Sequence, residues 1–136
     1  MIVDASVAIK LLIPEADSAK AEIVLDQPDL AAPDLLLMEV ANGLSRARRR
    51  GRLSEPEARQ NWLVCGALPI EMAPWQPLAD PALDLSLELG AAFYDCVYLA
   101  LALQRDDILV TADARFVQAV QSRPALHGRA VLLADL

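Results

Sequence analysis

Four acidic residues stand where carboxylates are costly to keep: Asp4, Glu39, Asp95 and Asp113. Asp4 ends the apolar run Met1-Ile2-Val3. Asp113 lies two residues beyond Ile108-Leu109-Val110-Thr111. Glu39 is embedded in Leu35-Leu36-Leu37-Met38-Glu39-Val40-Ala41, and the helical neighbours of Asp95 (Ala91, Ala92, Tyr98 and Leu99) are uncharged. A carboxylate on an apolar face resists ionisation unless a cation or hydrogen-bond donors compensate it. Each acid also has a plain structural alternative. Asp113 and Asp95 can serve helix N-termini. Asp4 can satisfy backbone donors of a first turn, and Glu39 can pair with Arg46 or bend to solvent. One shared cation accounts for all four together. Oxygen-only ligands suit Mg²⁺ or Mn²⁺. The single histidine, His127, has no partner at ligand spacing, so zinc is not expected. A cation held this way lowers the pKa of a water and neutralises charge on a phosphodiester in the transition state. One carboxylate can orient the attacking water. Ser6 and Thr111 are candidates to hydrogen-bond ligands or waters around such a site, or to close a turn and a strand end.

The elements that would position these groups alternate between strand and helix. Strands are expected over residues 1–3, 30–32 (closed by Pro33), 70–72, 108–111 and 130–133. Helices are expected over 6–12, 17–25, 34–50, 54–68, 81–89, 94–105 and 113–122. Gly51 stops the third helix, Ser54 and Glu57 form a capping box on the fourth, and Asp113 caps the last. The stretch from Pro74 to Pro81, with three prolines, reads as a loop. Alternation of this kind defines an α/β class with a mainly parallel sheet, and such sheets bind ligands beyond the carboxyl ends of their strands. Asp4 and Asp113 stand there.

Composition sets further bounds. The 136 residues fit one domain, residues 1–136, able to bury a core without staples. Apolar residues make up 55% and aromatics 4%, so Ala, Leu, Val and Ile must build the core, with a surplus available for a partner surface. No apolar run reaches the ~18 residues of a membrane span, and no signal-like segment precedes Asp4, so the cytoplasm is the expected compartment. Cys65 and Cys96 read as buried thiols. The net charge of −7 repels nucleic acid overall, so any such binding needs local cations or a metal. Six of the twelve basic residues cluster in Arg46, Arg48, Arg49, Arg50, Arg52 and Arg59. They can form a solvated helix end or a phosphate track leading to Glu39. Arg46, two turns after Glu39 on nearly the same face, is the best candidate for a phosphate contact.

Ile2-Val3-Asp4-Ala5-Ser6, Pro33 to Leu44 with Glu39, Tyr94-Asp95-Cys96-Val97-Tyr98-Leu99-Ala100, and Leu109-Val110-Thr111-Ala112-Asp113 together resemble the PIN domain family, and most of all its compact VapC-type toxins. The likeness covers nearly the whole chain and is only an outline from about Arg59 to Leu87. It implies a three-layer α/β/α sandwich and an Mg²⁺- or Mn²⁺-dependent endoribonuclease. It also implies a homodimer and a small protein antitoxin that blocks the site. By position, Asp4 and Asp95 match the acids most directly tied to the metal, and Glu39 and Asp113 match the other two. The chain departs from the pattern after the fourth acid, where Ala114-Arg115-Phe116-Val117 carries no further acid. Arg115 weighs against a second metal and is a candidate phosphate contact.

Two rivals compete. An aspartyl-phosphate phosphoryl-transfer protein would also place Asp4 after the first strand, but it generally requires a late lysine, and only Lys10 and Lys20 exist. A non-catalytic PIN-like binding module would carry the four acids as relics. The apolar surplus further predicts a short antitoxin helix in an apolar groove near the first helices, with an arginine competing for the acids.

Overall fold

The computed structural model describes all residues, 1–136. Five short strands form one parallel sheet: β1 (Ile2–Val3), β2 (Ala31–Pro33), β3 (Glu71–Ala73), β4 (Leu109–Thr111) and β5 (Ala130–Leu132), in the order β3-β2-β1-β4-β5. The register pairs Ile2 with both Ala31 and Leu109. It also pairs Ala31 with Glu71 and Leu109 with Ala130. Seven α-helices flank the sheet: α1 (Ala5–Leu12), α2 (Ser18–Leu25), α3 (Leu35–Arg49), α4 (Glu55–Ala67), α5 (Ala79–Leu89), α6 (Phe93–Gln104) and α7 (Ala114–Gln121). From β1 to β3 the chain steps toward one edge, then returns through β4 to the other. Right-handed crossovers therefore put α1–α4 on one face and α5–α7 on the opposite face. The result is the expected α/β/α sandwich. The direction reverses between β1 and β4, which opens a crevice at their carboxyl ends.

The core is aliphatic. Ile2, Val7, Leu36, Val40, Val97, Leu99 and Val110 are fully buried, and Tyr98 is the largest side chain that is. Cys65 and Cys96 are free thiols inside it. No single helix is long and apolar enough to cross a membrane.

Two expectations change. Pro33 lies inside β2 as its last residue rather than beyond it. At that position the missing donor costs one ladder bond where the neighbouring β1 is also ending. The Pro74–Pro81 stretch is not a plain loop, because it holds a 3-10 turn (Gln76–Leu78) and the start of α5 at Ala79. Pro81 sits in the first turn of α5, where a backbone N–H has no intrahelical partner to lose.

Candidate active site

Each acid is delivered by a different element. Asp4 leaves β1 and begins α1. Asp113 follows β4 and caps α7, its Oδ1 accepting from the amides of Arg115 (2.9 Å) and Phe116 (3.0 Å). Glu39 comes from the second turn of α3 and Asp95 from the first turn of α6. All four line one cavity of about 630 Å³ at the β1/β4 crevice, with Ser6, Asn42, Gly43, Arg46 and Tyr94 also in its wall.

Asp4 is the most tightly held. Its Oδ2 accepts hydrogen bonds from Ser6 Oγ at 2.7 Å and Thr111 Oγ1 at 2.6 Å. Those hydroxyls accept in turn from the amides of Ala112 (3.0 Å) and Asp113 (3.1 Å). This chain of donors joins the β1–α1 and β4–α7 junctions and fixes the Asp4 rotamer. Burial nonetheless pushes the Asp4 carboxyl upward, and the bonds from Thr111 and Ser6 offset this only in part.

Glu39 Oε2 accepts from the hydroxyl of Tyr98 at 3.2 Å. Burial first, then the charges of Asp4 and Asp95, raise Glu39 to about 7 against the pull of that hydrogen bond. Asp95 is raised to about 6 by burial and by the charges of Asp4 and Asp113. The acids thus disfavour one another's ionised forms, and a cation among them would relieve all the shifts together. No group of three histidine, cysteine or carboxylate side chains converges on a single ligating point. The donor set therefore fits a hard cation gripped by one or two carboxylates, its remaining positions filled by water and substrate oxygen, as Mg²⁺ prefers.

Gly43 brings the two sides together. A Cβ there would lie 2.7 Å from Ile9 Cδ1 of α1, so glycine lets α1 rest on α3 and draws Asp4 toward Glu39. Arg46 reaches the same cavity from the next turns of α3. Arg115 does not line it: its side chain is exposed on the first turn of α7 and makes no ion pair. Lys10 pairs with Glu15 at 2.8 Å, and Lys20 reaches the carbonyl of Ala134. Neither lysine faces Asp4, which removes the phosphate-holding cation a phosphoryl-transfer site requires.

Sequence reasoning missed Tyr98 as a site residue and took it for an uncharged neighbour of Asp95. The available signal was its hydroxyl, since a tyrosine inside a Leu/Ala/Val helix needs a buried partner for its O–H.

A second concavity of about 640 Å³ lies between α3 and α4, walled by Leu44, Ala58, Trp62 and Leu63 and rimmed by Arg48, Arg49 and Arg59.

The fold and this junction of acids define a family. The PIN domain family model matches residues 1–121, and the chain belongs to that family. Within it the chain is of the VapC type. It is 35% identical to "Ribonuclease VapC3" of Pyrobaculum aerophilum over 123 residues, spanning 87% of this chain and 92% of the relative. It is 30% identical to "Ribonuclease VapC9" of Mycobacterium tuberculosis over 123 residues, 90% of this chain and 93% of that one. Among solved structures it is similar to a Pyrobaculum aerophilum protein (TM-score 0.72, 25% identity, covering 98% of this chain and 89% of the other). A toxin–antitoxin complex from Klebsiella pneumoniae shares the fold with a TM-score of 0.68 at 17% identity, covering 97% and 96%.

Proposed function

We propose that the chain, acting as a single PIN domain over residues 1–136, is a cytoplasmic, Mg²⁺-dependent endoribonuclease and the toxin of a toxin–antitoxin pair. Mn²⁺ is expected to substitute. The observation that carries the reading is the convergence of Asp4, Glu39, Asp95 and Asp113 from four elements on one cavity, where burial raises three of them and neighbouring acid charge adds to the shift of Glu39 and Asp95. The ribonuclease names of its relatives agree with it. When bound, the metal would lower the pKa of a water and neutralise charge on the phosphodiester.

The chain's own groups do the rest. Asp4, locked by Ser6 and Thr111, and Asp95 supply the first carboxylates for the cation. Asp113, whose second oxygen is free of the cap, would hold a water around that cation. Glu39, near neutrality and steadied by Tyr98, accepts the proton of the attacking water. Arg46 holds a non-bridging phosphate oxygen at the rim of the cavity, and exposed Arg115 is a more distant phosphate contact.

Incubation of the protein with a mixed RNA pool should give cleavage with Mg²⁺ or Mn²⁺ and none with EDTA. The products should end in 5′-phosphate and 3′-hydroxyl, because water rather than the 2′-hydroxyl attacks. Products with 2′,3′-cyclic phosphate, or cleavage indifferent to EDTA, would overturn the reading.

The partners of the same reading are a second copy of the chain and a small antitoxin. The exposed Trp62 and Leu63 of the α3–α4 groove, and exposed Met38, Leu87 and Tyr94, supply apolar surface for both.

A further inference from the structure

A third concavity, about 210 Å³, adjoins the acid cavity and shares Ile9, Gly43 and Arg46 with it. Beyond Arg46 its wall holds Arg50 and Arg52, with Glu15 as its only acid. Glu15 is already engaged by Lys10 at 2.8 Å and Arg52 at 3.4 Å. Arg46 and Arg50 enter no ion pair and no side-chain hydrogen bond, and both are exposed. They stand one helical turn apart, about 6 Å along the axis of α3, a spacing comparable to consecutive phosphates of a nucleotide chain. This cationic run belongs to a chain whose net charge is −7, and it opens directly onto the cavity that a polyanion must approach.

We propose that single-stranded RNA runs out of the acid cavity along this groove, with Arg46 and Arg50 holding successive phosphates on one side of the scissile bond. The proposal rests on the nuclease reading and adds to it the path of the bound strand. An acidic protein segment is the competing occupant. A peptide needs apolar anchors; of the large exposed apolar side chains, Trp62 and Leu63 lie in the other groove across α3, Met38 and Tyr94 line the acid cavity, and none lines the cationic groove itself. Ile9, Ile13 and Ala47, which floor the cationic groove, are buried or half-buried and offer none.

The side of α3 that walls the α3–α4 groove supplies the control. Arg48 and Arg49 sit within the same arginine cluster but wall the apolar groove. Binding of a fluorescein-labelled, mixed-sequence single-stranded RNA is measured by anisotropy across a salt series, in an Asp4→Asn background that blocks cleavage. Arg46→Ala with Arg50→Ala should weaken binding about tenfold and flatten the slope of log K against log salt by about 1.4, since each single-strand phosphate contact contributes about 0.7. Arg46→Lys with Arg50→Lys should keep the slope, and Arg48→Ala with Arg49→Ala should leave it unchanged. An unchanged slope in the Arg46/Arg50 pair overturns the path. So does an equal loss in the Arg48/Arg49 pair, which would mean a diffuse field. Loss of antitoxin binding with RNA binding intact would assign the groove to protein and also overturn it. If the unmodified protein cleaves RNA while the slopes stay level, the path fails and the nuclease reading stands. If it neither binds nor cleaves, both fail.

Discussion

Two concavities of nearly equal size flank helix α3, about 630 Å³ on the acid side and about 640 Å³ against α4. They are built on opposite terms. The acid cavity draws side chains from four elements, and keeps them at the cost of raised carboxyl pKa values and a buried hydroxyl chain. The α3–α4 groove is the surface of one helical hairpin, apolar in its floor and charged only at its rim. Size does not tell them apart. The difference lies in where free energy is spent against stability, and on that ground the acid cavity is proposed as the place of chemistry and the groove as a place of contact.

The sharpest way to break this division is to neutralise one acid. Asp4→Asn should lower Mg²⁺-dependent cleavage about a thousandfold, the scale of losing a preorganised electrostatic group. Its melting temperature should hold or rise, because repulsion is relieved. Leu63→Ser in the groove should leave cleavage unchanged. Full activity in Asp4→Asn, or its loss in Leu63→Ser, would erase the distinction.

Stability against pH gives the next test. Glu39 and Asp95 have folded pKa values raised from 4.5 to about 7 and from 3.8 to about 6. Raised values mean that the folded state binds these protons more tightly, so their stabilisation is complete below the unfolded values and is lost as pH climbs through 6 and 7. In EDTA, Glu39→Gln combined with Asp95→Asn should melt several degrees above the unmodified chain at pH 8, with the gap closing toward pH 4. Mg²⁺ should raise the melting temperature of the unmodified chain at pH 8 and do little for the double variant. A pH-independent gap would show that neither burial nor mutual charge raises these two carboxyls.

Tyr98 probes the site without touching a carboxylate. Its hydrogen bond lowers the Glu39 pKa. Tyr98→Phe should therefore move the acid limb of the cleavage profile to higher pH, and should cost about 1 kcal/mol in stability, the net value of a typical buried hydrogen bond. An unmoved limb would leave the tyrosine as packing alone.

How much of this division can be read in the chain differs on the two sides of α3. The strands are legible because short apolar runs end at turn residues, and Asp4 and Asp113 stand out as polar stops just beyond them. Glu39 is legible as a charge in an apolar face. Tyr98 is not, because its role depends on α6 meeting Glu39 of α3 from the opposite side of the sheet, which no local pattern encodes. The α3–α4 groove is equally hidden. Trp62, Leu63 and Val64 are consecutive and all exposed, so they trace no helical stripe. The prolines at 74, 77 and 81 suggest a loop because a proline admitted by the first turn of a helix looks the same in sequence as one that breaks it.

The smallest expected effect compares two helical glycines, one on each side of the division. A Cβ at Gly66, on α4, would meet nothing within 4 Å. Gly66→Ala should therefore return only the helix-propensity gain, about 0.5 kcal/mol this near a helix end. At Gly43 the same gain is opposed by Ile9, whose Cδ1 would lie 2.7 Å and Cγ1 3.4 Å from the new methyl. Ile9 is only half-buried and lines both the acid cavity and the cationic groove, so its terminal methyl can swing aside, but only into space the substrate needs. Gly43→Ala should then be nearly neutral in denaturant melts and yet cleave RNA severalfold more slowly. Trimming the obstruction with Ile9→Val should restore part of the rate in the double variant, an energetic coupling expected of residues in contact. If Gly43→Ala gains as much stability as Gly66→Ala and cleaves at full rate, the approach of α1 to α3 does not set the geometry of the acid cavity.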